Sequence, residues 1–570
     1  MDYEVLSPWA DRDRVKAKGL EPRVSDLNGK KIGLFAGFKG HWVIILGEVE
    51  RQLQERFPRA KFIHYHYPKD MSSTRDVCEV ADDDEYRSSF EKWLKEVDTV
   101  VSGHGDAASC ALTLAYNTAF IEKMGKPAVM LVNKDLATIA RTGASVRDVP
   151  GLRVVQTTIP DLSAFFSLEG VVEDIIRPGV AAIIDDVIAA LTEPPTKEEK
   201  SPAKEVGKAP RDVFKGNLEE VHRFFYQRGW SFGMPIMPPT EEAVREMLAG
   251  TDLLADHVVA RISPMLGKAT IEKIAVNAVM AGCLPTYMPV LIAAVQALAD
   301  RPKIWLEGYT CSVASWAPIL CVNGPVRNDL DINKRGNLMS PYYRANAGIG
   351  HALGLIIMNI GGTRPGMEDL SFVGHEGRYG MCFAENEEES PWEPLHVGYG
   401  FNREDSTVTL FWTNGRQYLG SPGNAATILG RLCDSINVFA WDPGCLLIMP
   451  PSTAKVLADA GLRQKDVISY LVEYARVPAA NVNVRWFKES HHEPKEFLLP
   501  LGDPTRSMRK FYSSKHTAIV VAGLSYSWAT VSYSGGGTHG TIVTKKIELP
   551  VNWDKLVARY KDIVPKYVSY

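Results

Sequence analysis

Short apolar runs that alternate with stretches of helical period constrain the start of this chain to a layered α/β unit. Lys31–Phe35 (KIGLF) follows the turn signal Asn28-Gly29 and reads as a first strand; residues 60–65, 99–102, 127–132 and 152–155 read as four more. Residues 42–57, 90–95 and 111–124 carry helical spacing, the last ended by Gly125, and a helix over about 171–191 closes the unit. Strand and helix in alternation predict a flavodoxin-like, doubly wound parallel sheet with its ligand crevice at the strand C-terminal ends.

Residues 193–210 (EPPTKEEKSPAKEVGKAP) hold almost nothing that can fill a core and read as a linker. The expected domains are therefore 1–192, an α/β unit, and 211–570, a larger mixed α+β unit that closes a cleft against it. In the second unit, 318–322, 407–412, 445–449 and 518–522 read as strands. Residues 218–228, 271–280, 288–299, 345–359, 425–436, 454–460 and 465–476 read as helices there. At 570 residues, two or three domains are expected.

The formal net charge is −4 with acids and bases interspersed, so no basic stripe points to nucleic acid. No apolar run reaches the roughly 18 residues of a spanning helix, and the N-terminus lacks the pattern of a signal peptide. A cytoplasmic protein is expected, with no membrane partner, and symmetric homo-oligomers are the base expectation. The eight cysteines, at 78, 110, 283, 311, 321, 382, 433 and 445, form no CxxC pair, so neither a zinc knuckle nor a disulfide framework is signalled.

One thiol stands apart. Residues 99–110 read TVVSGHGDAASC, a strand that ends in Gly103-His104-Gly105-Asp106 and turns into a helix near Ala107. Cys110 then sits in the first helical turn, where unsatisfied N–H groups and the helix dipole favour a thiolate. The glycines let a backbone approach a ligand, Ser109 adds a hydroxyl, and His104 is a candidate proton partner. Asp106 is the expected helix cap, and its charge opposes thiolate formation. The bland alternative is a Cys that merely packs.

GDAASC, the helix after it and GKPAVMLV resemble the UGSC-like family, whose signature in some members carries selenocysteine first, then Gly, Ser and Cys. The layout is also similar to the selenoprotein B subunit of glycine, sarcosine and betaine reductases. Here those positions hold Ala107, Ala108, Ser109 and Cys110, so a two-centre selenol/thiol reduction does not carry over. The resemblance extends to Lys39 in GFKGHW and, in the second part, to SFGMPIMPPTEEAVREML, TIEKIAVNAVMAGC, RANAGIGHALGLIIMNIGG and CFAENEEESPWEPLHV. It implies the α/β architecture and a working Cys110.

Lys39 lies on the same crevice edge as Cys110 and could lower its pKa or bind a carboxylate. His64 and His66 face one side of a strand but are too few for a metal without a third ligand. The glycine-bearing segment from Arg344 through His351 could hold an anion at a helix start, yet it has neither a Rossmann spacing nor a P-loop lysine. Glu385, Glu387, Glu388 and Glu389 most simply form a solvated acidic loop, with Glu385 the one to watch as a metal ligand or base.

The expected function is an enzyme with Cys110 as nucleophile, Lys39 orienting a small anionic substrate and His104 moving protons, making or breaking a C–S or C–N bond. No flavin or nicotinamide fingerprint is present, so any reduction needs an external thiol or electron donor. The alternatives are a metal-assisted lyase or hydrolase centred on the second part, and a non-catalytic binding protein.

Overall fold

A computed structural model describes residues 1–13, 16–37, 41–65, 84–162, 170–202, 210–301, 303–420, 422–437, 444–478, 505, 507–510, 514–535, 542–561 and 563. The chain enters through a short strand, Tyr3–Leu6 (β1), and then builds five parallel strands. These are Lys31–Phe35 (β2), Lys61–Tyr65 (β3), Thr99–Gly105 (β4), Ala128–Asn133 (β5) and Arg153–Thr157 (β6). Their order is β3-β2-β4-β5-β6, so the winding reverses between β2 and β4. Every residue of β4 and all but the last of β5 are buried, as expected of central parallel strands covered on both faces.

The connecting helices are His41–Arg56 (α1), Asp84–Glu96 (α2), Ala108–Lys123 (α3) and Ala137–Val146 (α4), with Ile184–Thr192 (α5) closing the unit. Helices α3 and α4 pack closely because Gly143 leaves room for the Leu112 carbonyl, which a Cβ there would meet at 2.9 Å. The C-terminal end of α3 is tied down by a buried ion pair, Arg23 to Glu122 at 2.8 Å. Burial pushes the Glu122 carboxyl up and the Arg23 guanidinium down, and each partner's charge opposes that shift in the other.

Two expectations about the unit's edges are corrected. Residues 3–11 belong to the second part: β1 pairs with Asp212–Gly216 (β7), and Val5, Leu6 and Ala10 lie in that part's core. A partner strand two hundred residues away decides this, and four residues are too short to signal it. The linker is also partly docked. Lys197–Lys200 forms a helical turn with a capping box at Thr196, and Arg153 grips Glu199 at 2.9 Å.

The second part centres on a seven-stranded mixed sheet. A hairpin, Val258–Ile262 (β8) with Gly267–Thr270 (β9), precedes it. The sheet strands are Ala317–Asn323 (β10), Cys382–Ala384 (β11), Thr407–Gly420 (β12), Cys445–Met449 (β13), Ala518–Val521, Ala529–Gly535 and Val543–Lys546. The long β12 carries β10 along its buried first half and Ala529–Gly535 along its second. Three apolar helices, Ile271–Met280 (α6), Met288–Leu298 (α7) and Arg344–Asn359, pack together in the largest core. Among the described residues no helix is long and apolar enough to cross a membrane.

The two parts meet at α3. The helix Leu306–Thr310 packs on it, Tyr116 donates from α3 to the Pro264 carbonyl at 3.0 Å, and Trp305 and Cys311 sit in the apolar cluster that also holds Cys110.

Candidate functional site

Strand β4 shifts register between Ser102 and His104, so the turn begins inside the strand. A Cβ on Gly103 would lie 3.1 Å from the Phe35 carbonyl, and one on Gly105 would lie 2.9 Å from the Ala111 backbone. Both glycines are buried and serve the close approach of β2 and α3 to this strand.

Helix α3 is capped by Ala107, whose backbone is extended at φ −139° and ψ 158° and whose methyl offers no acceptor. The expected cap, Asp106, stands one residue too early. Its buried carboxylate instead accepts the indole N–H of Trp42 at 3.0 Å. Cys110 is thus the third residue of a helix whose first turn has no side-chain cap, 5% exposed, at the C-terminal edge of β4 beside the reversal of winding. The dipole and backbone amides of such a turn favour a thiolate.

His104 is fully buried and its Nε2 meets the Thr157 hydroxyl at 2.6 Å, across the sheet on β6. Ser109 is buried in the first turn, and its carbonyl accepts from the Thr113 hydroxyl at 2.9 Å. Lys39 and His66 lie outside the described residues. His64 is partly exposed and paired with Glu50 at 2.5 Å. Among the described residues no group of three or more His, Cys, Asp or Glu is placed to hold a metal ion.

Five other thiols are as buried as Cys110 but are placed differently in their elements. Burial pushes Cys283 up to about 12 and Cys433 up to about 11, and it raises Cys311, Cys321 and Cys382 as well. None of these five begins a helix; they are small packed residues.

Arg344 and His351 do not join the Cys110 turn. Arg344 opens its helix and donates to the Gly282 carbonyl at 3.0 Å; among the described residues no hydrogen bond links either residue to 103–110. Gly350 lies within the helix, not at its start, and a Cβ there would meet the Met381 amide nitrogen at 2.6 Å. Close helix packing, not an anion site, explains that glycine. His351 stacks on Phe232 at 5.6 Å, and burial lowers its pKa.

The acidic run after β11 is not a solvated loop. Glu387 is paired with Arg327 at 3.1 Å, both nearly buried, and Glu388 bridges Arg327 and Lys334 at 2.8 and 2.9 Å. Glu385 is fully buried. Its Oε2 accepts from Asn323 at 2.5 Å and from the Leu395 amide at 2.8 Å, and burial pushes its carboxyl up to about 7. The bases that neutralise the run lie far away in sequence, so residue spacing gave no sign of them.

Residues 4–193 match the model of the UGSC family, 190 of the chain's 570 residues. That stretch is UGSC-like, in keeping with the resemblance read from its turn. No curated protein matches the sequence. A solved structure of the FeoB G-domain from Methanococcus jannaschii is 14% identical, over 29% of this chain and 99% of that one, with a TM-score of 0.18, too low to bear on the fold.

Proposed function

We propose that this protein is a cysteine-dependent enzyme that makes or breaks a C–S or C–N bond in a small anionic organic molecule, with Cys110 as nucleophile. The observation that carries this reading is the place of Cys110: third in α3, with no side-chain cap beside it, at the point where the parallel sheet reverses its winding. We read the strand order as flavodoxin-like, a class whose ligands settle outside the strand ends at that point.

In the proposed chemistry the thiolate attacks an electrophilic carbon. The bond from that carbon to its heteroatom breaks, the electron pair leaves with the heteroatom, and the thiol's proton goes to the leaving group. The carbon then passes from sulfur to water or a second nucleophile, which restores the thiol without redox change. His104, its ring oriented by Thr157, carries the proton, and Lys39 receives the substrate's negative charge. The second part, which covers α3 through Leu306–Thr310, excludes water from the reacting carbon.

The test is intact-mass analysis after exposure to a panel of small carboxylate-bearing thioesters and β-substituted amino acids. A covalent adduct at Cys110 that turns over, and that Cys110→Ser abolishes, is the expected result. Adducts spread over several cysteines, or none on the folded protein, would overturn the proposal.

A further inference from the structure

The second part holds a half-open cavity of about 1000 Å³ that none of residues 103–110 lines. Its volume sits at the upper end of the range of small-molecule sites. Aromatic rings form much of the wall: Phe232, Tyr226, Tyr379 and Trp412. Tyr379 stands edge-on to Phe232 at 6.4 Å, and Trp412 is held flat against Tyr309 at 4.7 Å and 5°.

The charges on the wall are already spent or negative. Arg378 pairs with Asp369, and its Nε donates to the Trp316 carbonyl at 3.0 Å. Burial pushes the His375 pKa down, favouring the neutral ring, whose Nδ1 accepts from the Gly377 amide at 2.9 Å. Glu376 is stabilised as a carboxylate by a backbone hydrogen bond. Among the described residues that line the wall no cation is left unpaired, Arg416 lies outside the lining though within electrostatic reach of Glu376, and the carboxylate would repel an anionic ligand.

We infer that this cavity is a second small-molecule site, which takes an uncharged molecule with a flat aromatic body. The site stands apart from the thiol chemistry and holds whether or not Cys110 is a nucleophile.

The full chain is titrated with Prodan, a neutral, flat aromatic ketone whose emission shifts to the blue in apolar surroundings. Saturable one-to-one binding with a blue shift is expected, unchanged in Cys110→Ser. Val373 borders the cavity and is 76% exposed, so Val373→Trp narrows the entrance without touching the core and is expected to weaken binding at least tenfold. 2-Naphthamide is expected to displace Prodan at a concentration at least tenfold lower than 2-naphthoate, its anionic counterpart. Absence of saturable binding, indifference to Val373→Trp, or equal competition by the carboxylate would each overturn the inference.

Discussion

Trp42 donates its indole N–H to Asp106 at 3.0 Å, which ties the first turn of α1 to the strand end that leads into Cys110. The bond links the helix that follows β2 to the end of β4, the two strands between which the sheet reverses its winding, while Ala107 holds the cap position of α3. Asp106→Asn retains an acceptor for Trp42 and removes a negative charge from the neighbourhood of the thiol. The thiol is expected to titrate at lower pH in this variant, read from the pH dependence of its alkylation, with little change in melting temperature. Asp106→Ala leaves the buried indole without an acceptor, and a loss of about 1–3 kcal/mol in urea unfolding is expected.

Gly105→Ala tests whether the glycine serves packing. Its new Cβ would press on Ala111 Cα and Cβ at 2.9 Å each, inside the first turns of α3. A cost of about 1–3 kcal/mol and a slower alkylation of Cys110 are expected together, because relief of the clash moves the helix start. Full stability with unchanged labelling would show that the helix has slack the structure does not suggest.

Arg327 is the most buried of the bases that hold the acidic run. Arg327 is 5% exposed and pairs with Glu387 and Glu388. Arg327→Met leaves Glu387 buried without its cation, and a loss of roughly 3–5 kcal/mol is expected in chemical denaturation.

Little of that network could be read from the residues themselves. CFAENEEESP signals an exposed acidic loop as long as Arg327 and Lys334 are out of view, and the partners come together only when β10 and β11 pair. The Trp42 contact spans 64 residues and was hidden for the same reason. By contrast, Lys31–Phe35 and Cys445–Met449 were found with their observed boundaries, because a short apolar run between turn signals has few other uses. The strands Ala529–Gly535 and Val543–Lys546 were missed. Their residues alternate Ser, Thr and Lys with apolar ones, and only pairing with β12 makes them strands. Of the proposed thiol site, the helix start and Cys110 were legible. The glycines' packing role and the hold of Thr157 on His104 were not, since both depend on what lies across the sheet.

Glu385 gives a pH dependence of defined sign. Its folded pKa is raised from 4.5 to about 7, so the folded state holds a proton that the unfolded state has already released in that window. Stability from this group is fully present below about pH 4.5 and falls as pH rises through about 7, by on the order of 3 kcal/mol. Glu385→Gln keeps an acceptor for Asn323 and the Leu395 amide. It is expected to melt higher than the parent at pH 8 and alike at pH 4.5, as read by calorimetry. Parallel pH profiles for the two proteins would mean that the buried carboxyl does not titrate in this range.

The central claim concerns the state of one sulfur, and the rate of iodoacetamide labelling at Cys110 as a function of pH, followed by peptide mass spectrometry, tests it most directly. An activated thiolate predicts half-maximal labelling of the folded protein at least one pH unit below the ~8.5 of a free thiol, with the other cysteines slow. Labelling of Cys110 no faster than that of Cys283 or Cys433, or only after unfolding, would contradict it and leave Cys110 a packed residue at a helix start.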